Sequence, residues 1–513
     1  MTPSFHVEHF GCRAARADGE AVSHRLRAAG LGERQPSSAD VVVVNTCSVT
    51  AEADRAALAF IRRTHRLNPA AKIVVTGCFA QRAPEELATL EGVCAVVGNS
   101  HKGLAPEIIL RLARESGILA FHPSNEASLA PVDSAALMHG PKPVPFTGAG
   151  ISRGAPAPIW ADEQFLHSFL EVAQVAPGAQ TRPNLKIQEG CANRCTFCVI
   201  PSTRGPSKSL PYAVVLRQVE GFVAAGGNEL VLSGINLGRW GRDFSASAQQ
   251  WTAGGAPSPN PAPRTLAGLL REIFARTTLP LLRLSSIEPM DWDAELIGLM
   301  AEFGGMRLAR HAHLPLQSGS DAVLRRMHRR YRPWHYTEKV AALVRAAGPE
   351  LTLGADVMVG FPGETDAEFE ETVALVRALP FGYLHLFPFS ARPGTPGWAL
   401  HAERPVPAGA VEERMKALRA LAAEKSQTHR RCFVGRELEA ITLRTPPELS
   451  TRGRSAALTE NFLPVEFEGR WEANRLVRLR VSGLMDGGTL EALVGEDYHA
   501  PDWGAAIQGV LGK

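Results

Sequence analysis

The first hundred residues alternate β-branched apolar runs with stretches of helical periodicity. Val41-Val42-Val43-Val44 and Ile73-Val74-Val75 are uninterrupted, as strands buried on both faces are, and the shorter run His6-Val7-Glu8-His9-Phe10 precedes them. Between the two valine-rich runs, residues 51–67 repeat apolar positions at helical spacing. This succession predicts an open parallel α/β sheet over residues 1–120. Each of the three runs ends in a cysteine, at Gly11-Cys12, Asn45-Thr46-Cys47 and Thr76-Gly77-Cys78. Ligands of open α/β sheets gather beyond the carboxyl ends of the strands, so Cys12, Cys47 and Cys78 are expected at one edge although they stand far apart along the chain. Cys94, inside Val93-Cys94-Ala95-Val96-Val97, reads as core packing, and Cys432 has no cysteine neighbour to give it a role.

From residue 184 to about 400 the alternation resumes. Strand runs fall at residues 229–233, 281–286, 312–316, 353–359 and 382–387, with helical stretches at 214–225, 266–276 and 364–378. The pattern predicts an incomplete α/β barrel of about six units, whose active site would open at the C-terminal strand ends. Residues 401–430 read as a charged helical connection. Residues 431–497 then become β-rich, with runs at 439–443, 464–467 and 476–481, and 498–513 is a tail. Two stretches break the periodicity. Residues 121–183 carry Pro123, Pro131, Pro141, Pro143, Pro145, Pro156, Pro158 and Pro177 and read as a Pro/Ala-rich linker or insertion with one short helix over 163–173. Residues 246–263 read as a surface loop.

A chain of 513 residues with 45% hydrophobic content is long enough for two to four domains with real cores. No basic start leads into an apolar signal segment, and no apolar run approaches the length of a membrane span. The chain is therefore expected to be cytoplasmic, where clustered cysteines are more often metal ligands than disulfides. A net charge of +3 is too small to announce a nucleic-acid partner by itself.

The densest chemistry lies at Gly190-Cys191-Ala192-Asn193-Arg194-Cys195-Thr196-Phe197-Cys198, just after the strand-like Leu185-Lys186-Ile187. Three thiolates leave one iron of a four-iron cubane open, and an open iron suits a ligand offering an amine and a carboxylate. A structural zinc site is the alternative. It would normally take a fourth Cys or His close by, and none follows Cys198 at zinc-like spacing.

The C-x3-C-x2-C spacing resembles the radical S-adenosylmethionine (radical SAM) superfamily. Together with Cys12, Asn45-Thr46-Cys47 and Thr76-Gly77-Cys78, it is similar to the methylthiotransferase family. The segment Asn45-Thr46-Cys47-Ser48-Val49-Thr50-Ala51-Glu52-Ala53-Asp54, with Arg62-Arg63 and Asn68-Pro69, is particularly similar to the branch that modifies threonylcarbamoyladenosine in tRNA. One position departs from the pattern: the family usually has Asn three residues after the first cysteine, and this chain has Ala15.

The resemblance implies an α/β chain in three parts: the N-terminal open parallel sheet, a radical SAM partial (β/α)6 barrel, and a small TRAM-like RNA-binding β-barrel. It implies two [4Fe-4S] clusters, one on Cys191, Cys195 and Cys198 and a second on Cys12, Cys47 and Cys78, with S-adenosyl-L-methionine (SAM) as cosubstrate. Phe197 would lie beside the adenine. Gly226 and Gly227 would let the backbone approach SAM, and Glu229 would accept hydrogen bonds from its ammonium. Glu288, in Ser285-Ser286-Ile287-Glu288-Pro289, and Gln317, in Leu314-Pro315-Leu316-Gln317-Ser318-Gly319-Ser320, would sit at strand ends facing the cofactor. Gly360-Phe361-Pro362-Gly363-Glu364-Thr365 matches a family turn that serves as a helix cap or a functional loop. Arg204 either binds a substrate or cofactor carboxylate or salt-bridges its own loop.

Arg325, Arg326, Arg329, Arg330 and Arg332, interleaved with Tyr331, Trp334 and Tyr336, could bind phosphate and stack bases, or form a solvated helix face. The TRAM resemblance rests on Leu458-Thr459-Glu460-Asn461-Phe462 and Gly483. From residue 430 onward the chain holds 11 Lys/Arg against 12 Asp/Glu, so RNA contact is expected on a local face such as Arg475, Arg478 and Arg480. The implied activity is radical SAM-dependent methylthiolation at C2 of N6-threonylcarbamoyladenosine at tRNA position 37. Its partners would be the tRNA anticodon loop, an electron donor and a sulfur source. Alternatives are a methylthiotransferase for isopentenyladenosine in tRNA or for a ribosomal-protein aspartate, and an RNA-binding iron–sulfur sensor without turnover. A sensor has no need of open iron sites.

Overall fold

The structure is a computed structural model describing residues 3–119, 156–168, 175, 182–244 and 263–495. The chain divides into two compact units. The first comprises Met1–Ala173, Glu189–Ser207 and Ser390–Thr395; the second comprises Gln174–Gln188, Lys208–Phe389 and Pro396–Lys513.

The first unit is built on a parallel sheet of order β2-β1-β3-β4-β5-β6. Its strands are β1 (Ser4–His9), β2 (Gly32–Glu33), β3 (Val41–Thr46), β4 (Lys72–Gly77), β5 (Val93–Gly98) and β6 (Ile159–Trp160). Both faces are covered, which is why the valine runs are continuous: Val41 and Val43 pack into one core, Val42 and Val44 into the other. Helices α1 (Arg13–Ala28) and α2 (Ala51–Leu67) follow β1 and β3. Thr50 caps α2 by accepting a hydrogen bond from the Ala53 N–H, at 3.2 Å. Cys94 is buried within β5, as expected.

The supposed linker is partly structured. Ile159 and Trp160 pair with Val96 and Val97 as the edge strand β6. Residues 163–168 form turns rather than the expected helix, and 169–173 lie outside the described residues. The expected loop 246–263 and the tail 498–513 also lie outside them, apart from Pro263.

In the second unit six parallel strands carry the α/β pattern: β7 (Asn184–Glu189, whose last residue belongs to the first unit), β9 (Glu229–Gly234), β10 (Leu281–Leu284), β11 (His311–His313), β12 (Thr352–Val359) and β13 (Phe381–Pro388). The two-residue β8 (Lys208–Ser209) adds an edge beside β7. They form sheets of order β10-β9-β7-β8 and β11-β12-β13. Arg307 and Ala309 exchange backbone hydrogen bonds with Leu282, joining the end of one sheet to the start of the other. The result is an open barrel with helices between its strands, including Tyr212–Ala224, Leu266–Arg276 and Asp366–Ala378.

The helix Ala408–Arg431 leads to a closed antiparallel-rich barrel of β14 (Glu437–Thr442), β15 (Arg454–Thr459), β16 (Pro464–Glu468), β17 (Leu476–Leu484) and β18 (Leu490–Val494). Val477, Leu479 and Val481 point into its core while Arg478 and Arg480 are exposed, the alternation a half-buried strand requires. No helix among the described residues is long and apolar enough to cross a membrane.

Candidate active site

Cys12, Cys47 and Cys78 stand where the strand-end argument puts them. β1 pairs with β3 through His9 and Asn45, and β3 pairs with β4 through Thr46 and Gly77, so Cys47 and Cys78 are the next residues on adjacent strands. Cys12 joins them through Gly11. A Cβ at Gly11 would lie 2.6 Å from the Cys47 Sγ, so only glycine lets the two segments approach this closely. Gly77 has φ +100° and a Cβ there would strike the Thr46 carbonyl oxygen at 2.3 Å. Asn45 donates its side-chain amide to the backbone carbonyl of Ala15, so residue 15 is tied to the strand end through its main chain.

The second trio lies in the same unit. Gly190 turns the chain at φ +67° into the Cys191 loop, the Cys191 N–H donates to the Gly205 carbonyl at 3.0 Å, and the Cys198 N–H closes a turn on the Cys195 carbonyl at 3.1 Å. Phe197 is half-buried on this loop.

Arg204 connects the two sets. Its Nε donates to the Cys78 Sγ at 3.3 Å, and its Nη1 donates to Glu189 Oε1 at 2.7 Å and Asp18 Oδ2 at 3.1 Å. Lys102 Nζ bonds the other Glu189 oxygen at 2.5 Å and Asp18 Oδ2 at 3.0 Å. Asn99 Nδ2 donates to the Cys78 Sγ at 3.4 Å and to the Thr203 carbonyl at 2.8 Å. Two buried cations and two buried carboxylates thus balance one another, and Arg204 carries that network to the Cys78 sulfur. Burial alone would lower the Arg204 pKa, but Cys78, Glu189, Asp18 and Cys12 raise it well above the ordinary arginine value. Arg204 thus salt-bridges Glu189, at the stem of its own loop, and Asp18 on α1. Asp18, Asn99, Lys102 and Glu189 carry no sequence motif. The signal for Asn99 and Lys102 was their position just after β5, at the same sheet edge as the cysteines.

The donor set suits a metal cluster. As a free thiol Cys47 is pushed up to about 12 by burial, with Cys78 adding to the effect, so a thiolate there calls for a bound cation. Cys78 receives two N–H donors that favour a negatively charged sulfur.

The 45–54 motif has structural work too. Asp54 accepts from Arg82 at 2.9 Å and pairs with Arg392, and both arginines also bond the Ser48 hydroxyl, at 2.7 and 2.9 Å. Asn68 holds the Pro36 and Ala39 carbonyls.

The second unit corrects one expected SAM contact. Glu229 opens β9 at its N-terminal end, while the C-terminal residue Gly234 pairs with Gln188. Five residues of strand separate the two ends by about 16 Å. Glu229 is buried and accepts from Arg283 Nε at 2.7 Å, so its carboxylate serves an internal ion pair. Gly226, at φ +81°, ends the preceding helix, and a Cβ at Gly227 would enter the Phe222 ring. Gly226 thus serves a turn and Gly227 the packing against Phe222. The Gly-Gly-x-Glu pattern does not say which end of its strand it marks.

Glu288 and Gln317 do follow C-terminal strand ends. The Glu288 carboxylate is held by Arg329 Nη2 at 2.8 and 2.6 Å. Gln317 adopts φ +62° and its buried Oε1 has no hydrogen-bond partner among the described residues. Thr365 and Glu368 form a reciprocal capping box, and Glu364 accepts from the Gly360 N–H and Arg414, which makes the Gly360–Thr365 turn a helix start.

Near these ends His313 Nε2 and His385 Nδ1 each lie 3.2 Å from an Asp356 oxygen, and His313 Nδ1 lies 3.0 Å from the Tyr383 hydroxyl. Burial would raise the Asp356 pKa, but hydrogen bonds from the two histidines bring it well below the carboxylate range. Each of these contacts is at hydrogen-bond length.

Much of the basic run is ion-paired, and of its aromatic residues Trp334 is exposed. Arg325 and Arg332 pair with Asp321, Arg326 with Glu368, and Arg329 with Glu288. Tyr331 and Tyr336 are fully buried, donating to backbone carbonyls.

Comparison with known proteins adds two family matches. Residues 4–98 match a model described as "Uncharacterized protein family UPF0004", and residues 185–376 match the radical SAM superfamily. A threonylcarbamoyladenosine tRNA methylthiotransferase of Bacillus subtilis is 31% identical over 94% of this chain and 93% of its own. The chain belongs to the radical SAM methylthiotransferase family. An Aquifex aeolicus relative of the same name is 31% identical over 92% of this chain and 99% of its own. A tRNA-2-methylthio-N(6)-dimethylallyladenosine synthase of Cereibacter sphaeroides is 32% identical over 85% and 86%. Among solved structures, the radical SAM methyltransferase TsrM of Kitasatospora setae superposes with a TM-score of 0.51 at 17% identity, covering 79% of this chain and 78% of that one, which supports the fold. Methylthiotransferases of this family carry two [4Fe-4S] clusters and use SAM.

Proposed function

We propose that this methylthiotransferase modifies C2 of N6-threonylcarbamoyladenosine at position 37 of tRNA, in the cytoplasm, drawing on an electron donor and a sulfur source. The observation that carries the reading is the placing of both three-cysteine sets in one compact unit, with Arg204 reaching from the stem of one loop to Cys78 of the other set. Similarity over more than nine tenths of the chain to relatives bearing the threonylcarbamoyladenosine name supports that substrate.

Cys191, Cys195 and Cys198 would hold the cluster that binds SAM, and Cys12, Cys47 and Cys78 the second. When bound, the clusters and SAM supply the one-electron chemistry and the sulfur and methyl groups, because an unactivated aromatic C–H offers acid–base groups little purchase. The chain's share is position and environment. Phe197 offers an aromatic face for the adenine. Gln317, whose buried oxygen has no partner among the described residues, and Glu288, whose charge Arg329 balances, offer acceptors at the strand ends. Arg478 and Arg480, exposed on β17, offer phosphate contacts to the tRNA.

Nucleoside analysis of tRNA from a deletion strain tests the substrate. Loss of 2-methylthio-N6-threonylcarbamoyladenosine, restored by the wild-type gene but not by Cys78→Ala or Cys195→Ala, is expected. Retention of that nucleoside in a strain without a paralogue refutes the reading.

A further inference from the structure

Two side chains aim N–H groups at one sulfur. Arg204 Nε and Asn99 Nδ2 reach the Cys78 Sγ at 3.3 and 3.4 Å, and both residues are buried. Each also keeps a buried atom without a hydrogen-bond partner among the described residues: Arg204 Nη2, a donor, and Asn99 Oδ1, an acceptor. Buried polar atoms are seldom left unpaired, so these two offer a donor and an acceptor for a further polar group. Arg204 cannot swing away, because Glu189 and Asp18 grip its Nη1. Asn99 is fixed in the same way, through the Thr203 carbonyl.

From this arrangement we infer that Arg204 and Asn99 are positioning residues that raise the reduction potential of the cluster held by Cys12, Cys47 and Cys78, an inference that rests on the cluster assignment above. A reduced cluster carries one more negative charge than an oxidised one. N–H donors and a fixed guanidinium beside a ligating sulfur favour the more negative state, so they move the potential upward. Burial strengthens the effect, since little water screens the charge. The same arginine sits one residue before Gly205, whose carbonyl fixes the Cys191 N–H, so the tuning group and the other cysteine loop share one short segment.

The test uses the full chain carrying C191A, C195A and C198A, so that only the first trio can hold a cluster. Iron content and EPR-monitored redox titration are compared with and without Arg204→Lys and Asn99→Ala. Lysine keeps a cation near Glu189 and Asp18 but lacks the Nε donor. About four irons per chain are expected throughout, with a more negative midpoint potential and altered g values in each variant. A merely structural staple would move melting temperature and leave the potential alone. An unchanged potential in variants that retain iron overturns the inference. So does loss of iron from both variants with melting unchanged, since the contacts would then hold the cluster rather than tune it. No iron on the C191A/C195A/C198A chain would instead refute the cluster assignment itself.

Discussion

At the scale of single residues, the thiolates were legible and their surroundings were not. Cysteine spacing survives in sequence because a cluster dictates it, whereas Asp18, Asn99, Lys102 and Glu189 come together beside Arg204 and Cys78 from three separate segments with no common motif. Substituting Cys78 or Cys195 by alanine in otherwise intact protein is expected to remove about four of about eight irons, leaving the other set loaded; colorimetric iron assay checks it. A different residue governs acid stability. His429 accepts or shares a hydrogen bond with Thr352 Oγ1 at 2.9 Å, and burial, with Arg430 nearby, lowers its pKa from 6.5 to about 4. Between those two values the unfolded chain binds the proton and the folded chain does not, so stability is full above pH 6.5 and falls as pH drops toward 4. Allowing for partial exposure, the loss is about 2 kcal/mol. His429→Gln, which cannot titrate, should flatten that limb of the pH–stability curve in urea melts.

At the scale of elements, β-branched runs located the long strands, because a strand buried on both faces leaves no room for polar punctuation. The short ones escaped: β6 hides in a proline-rich stretch, and β15 and β18 carry too few β-branched residues to stand out. The direction of an element along its axis also escaped, which is why Glu229 was expected at the cofactor end. Arg283 binds Glu229 and donates to the Thr459 and Glu460 carbonyls, so one buried guanidinium ties β9 and β10 to the end of β15. Glu229→Ala leaves that guanidinium without its carboxylate and should cost about 3–5 kcal/mol of stability. SAM affinity, measured by calorimetry on folded protein, should stay unchanged; a selective loss of SAM binding would restore the cofactor role. On β17 the expectation differs. Arg478→Ala with Arg480→Ala should weaken tRNA binding and lower the salt slope by about 0.7–0.9 for each phosphate that is no longer neutralised, with melting temperature little changed, because both side chains are exposed and the Arg478–Glu439 pair lies at the surface.

At the scale of the whole molecule, the first unit is not a continuous piece of sequence, and no periodicity could have disclosed that. Residues 189–207 and 390–395 leave the second unit's run of chain to complete it. Glu189 and Arg204 arrive with the first insertion and Arg392 with the second, each to a buried ionic partner on a helical segment that follows a strand of the N-terminal sheet. The boundary expected at residue 120 therefore separates carboxylates from their cations. A fragment of residues 1–173 retains Cys12, Cys47 and Cys78 but leaves Asp18 and Asp54 each short of an arginine, and takes both the Arg204 donor and the Asn99 anchor at Thr203 away from Cys78. Breaking buried pairs from one side is among the costlier lesions a fold can suffer. Such a fragment should melt well below the full chain and take up far less than the about four irons that one complete trio holds. Equal iron uptake by fragment and full-length C191A/C195A/C198A protein would mean that the strand-end cysteines suffice and that the inserted segments serve the other trio alone.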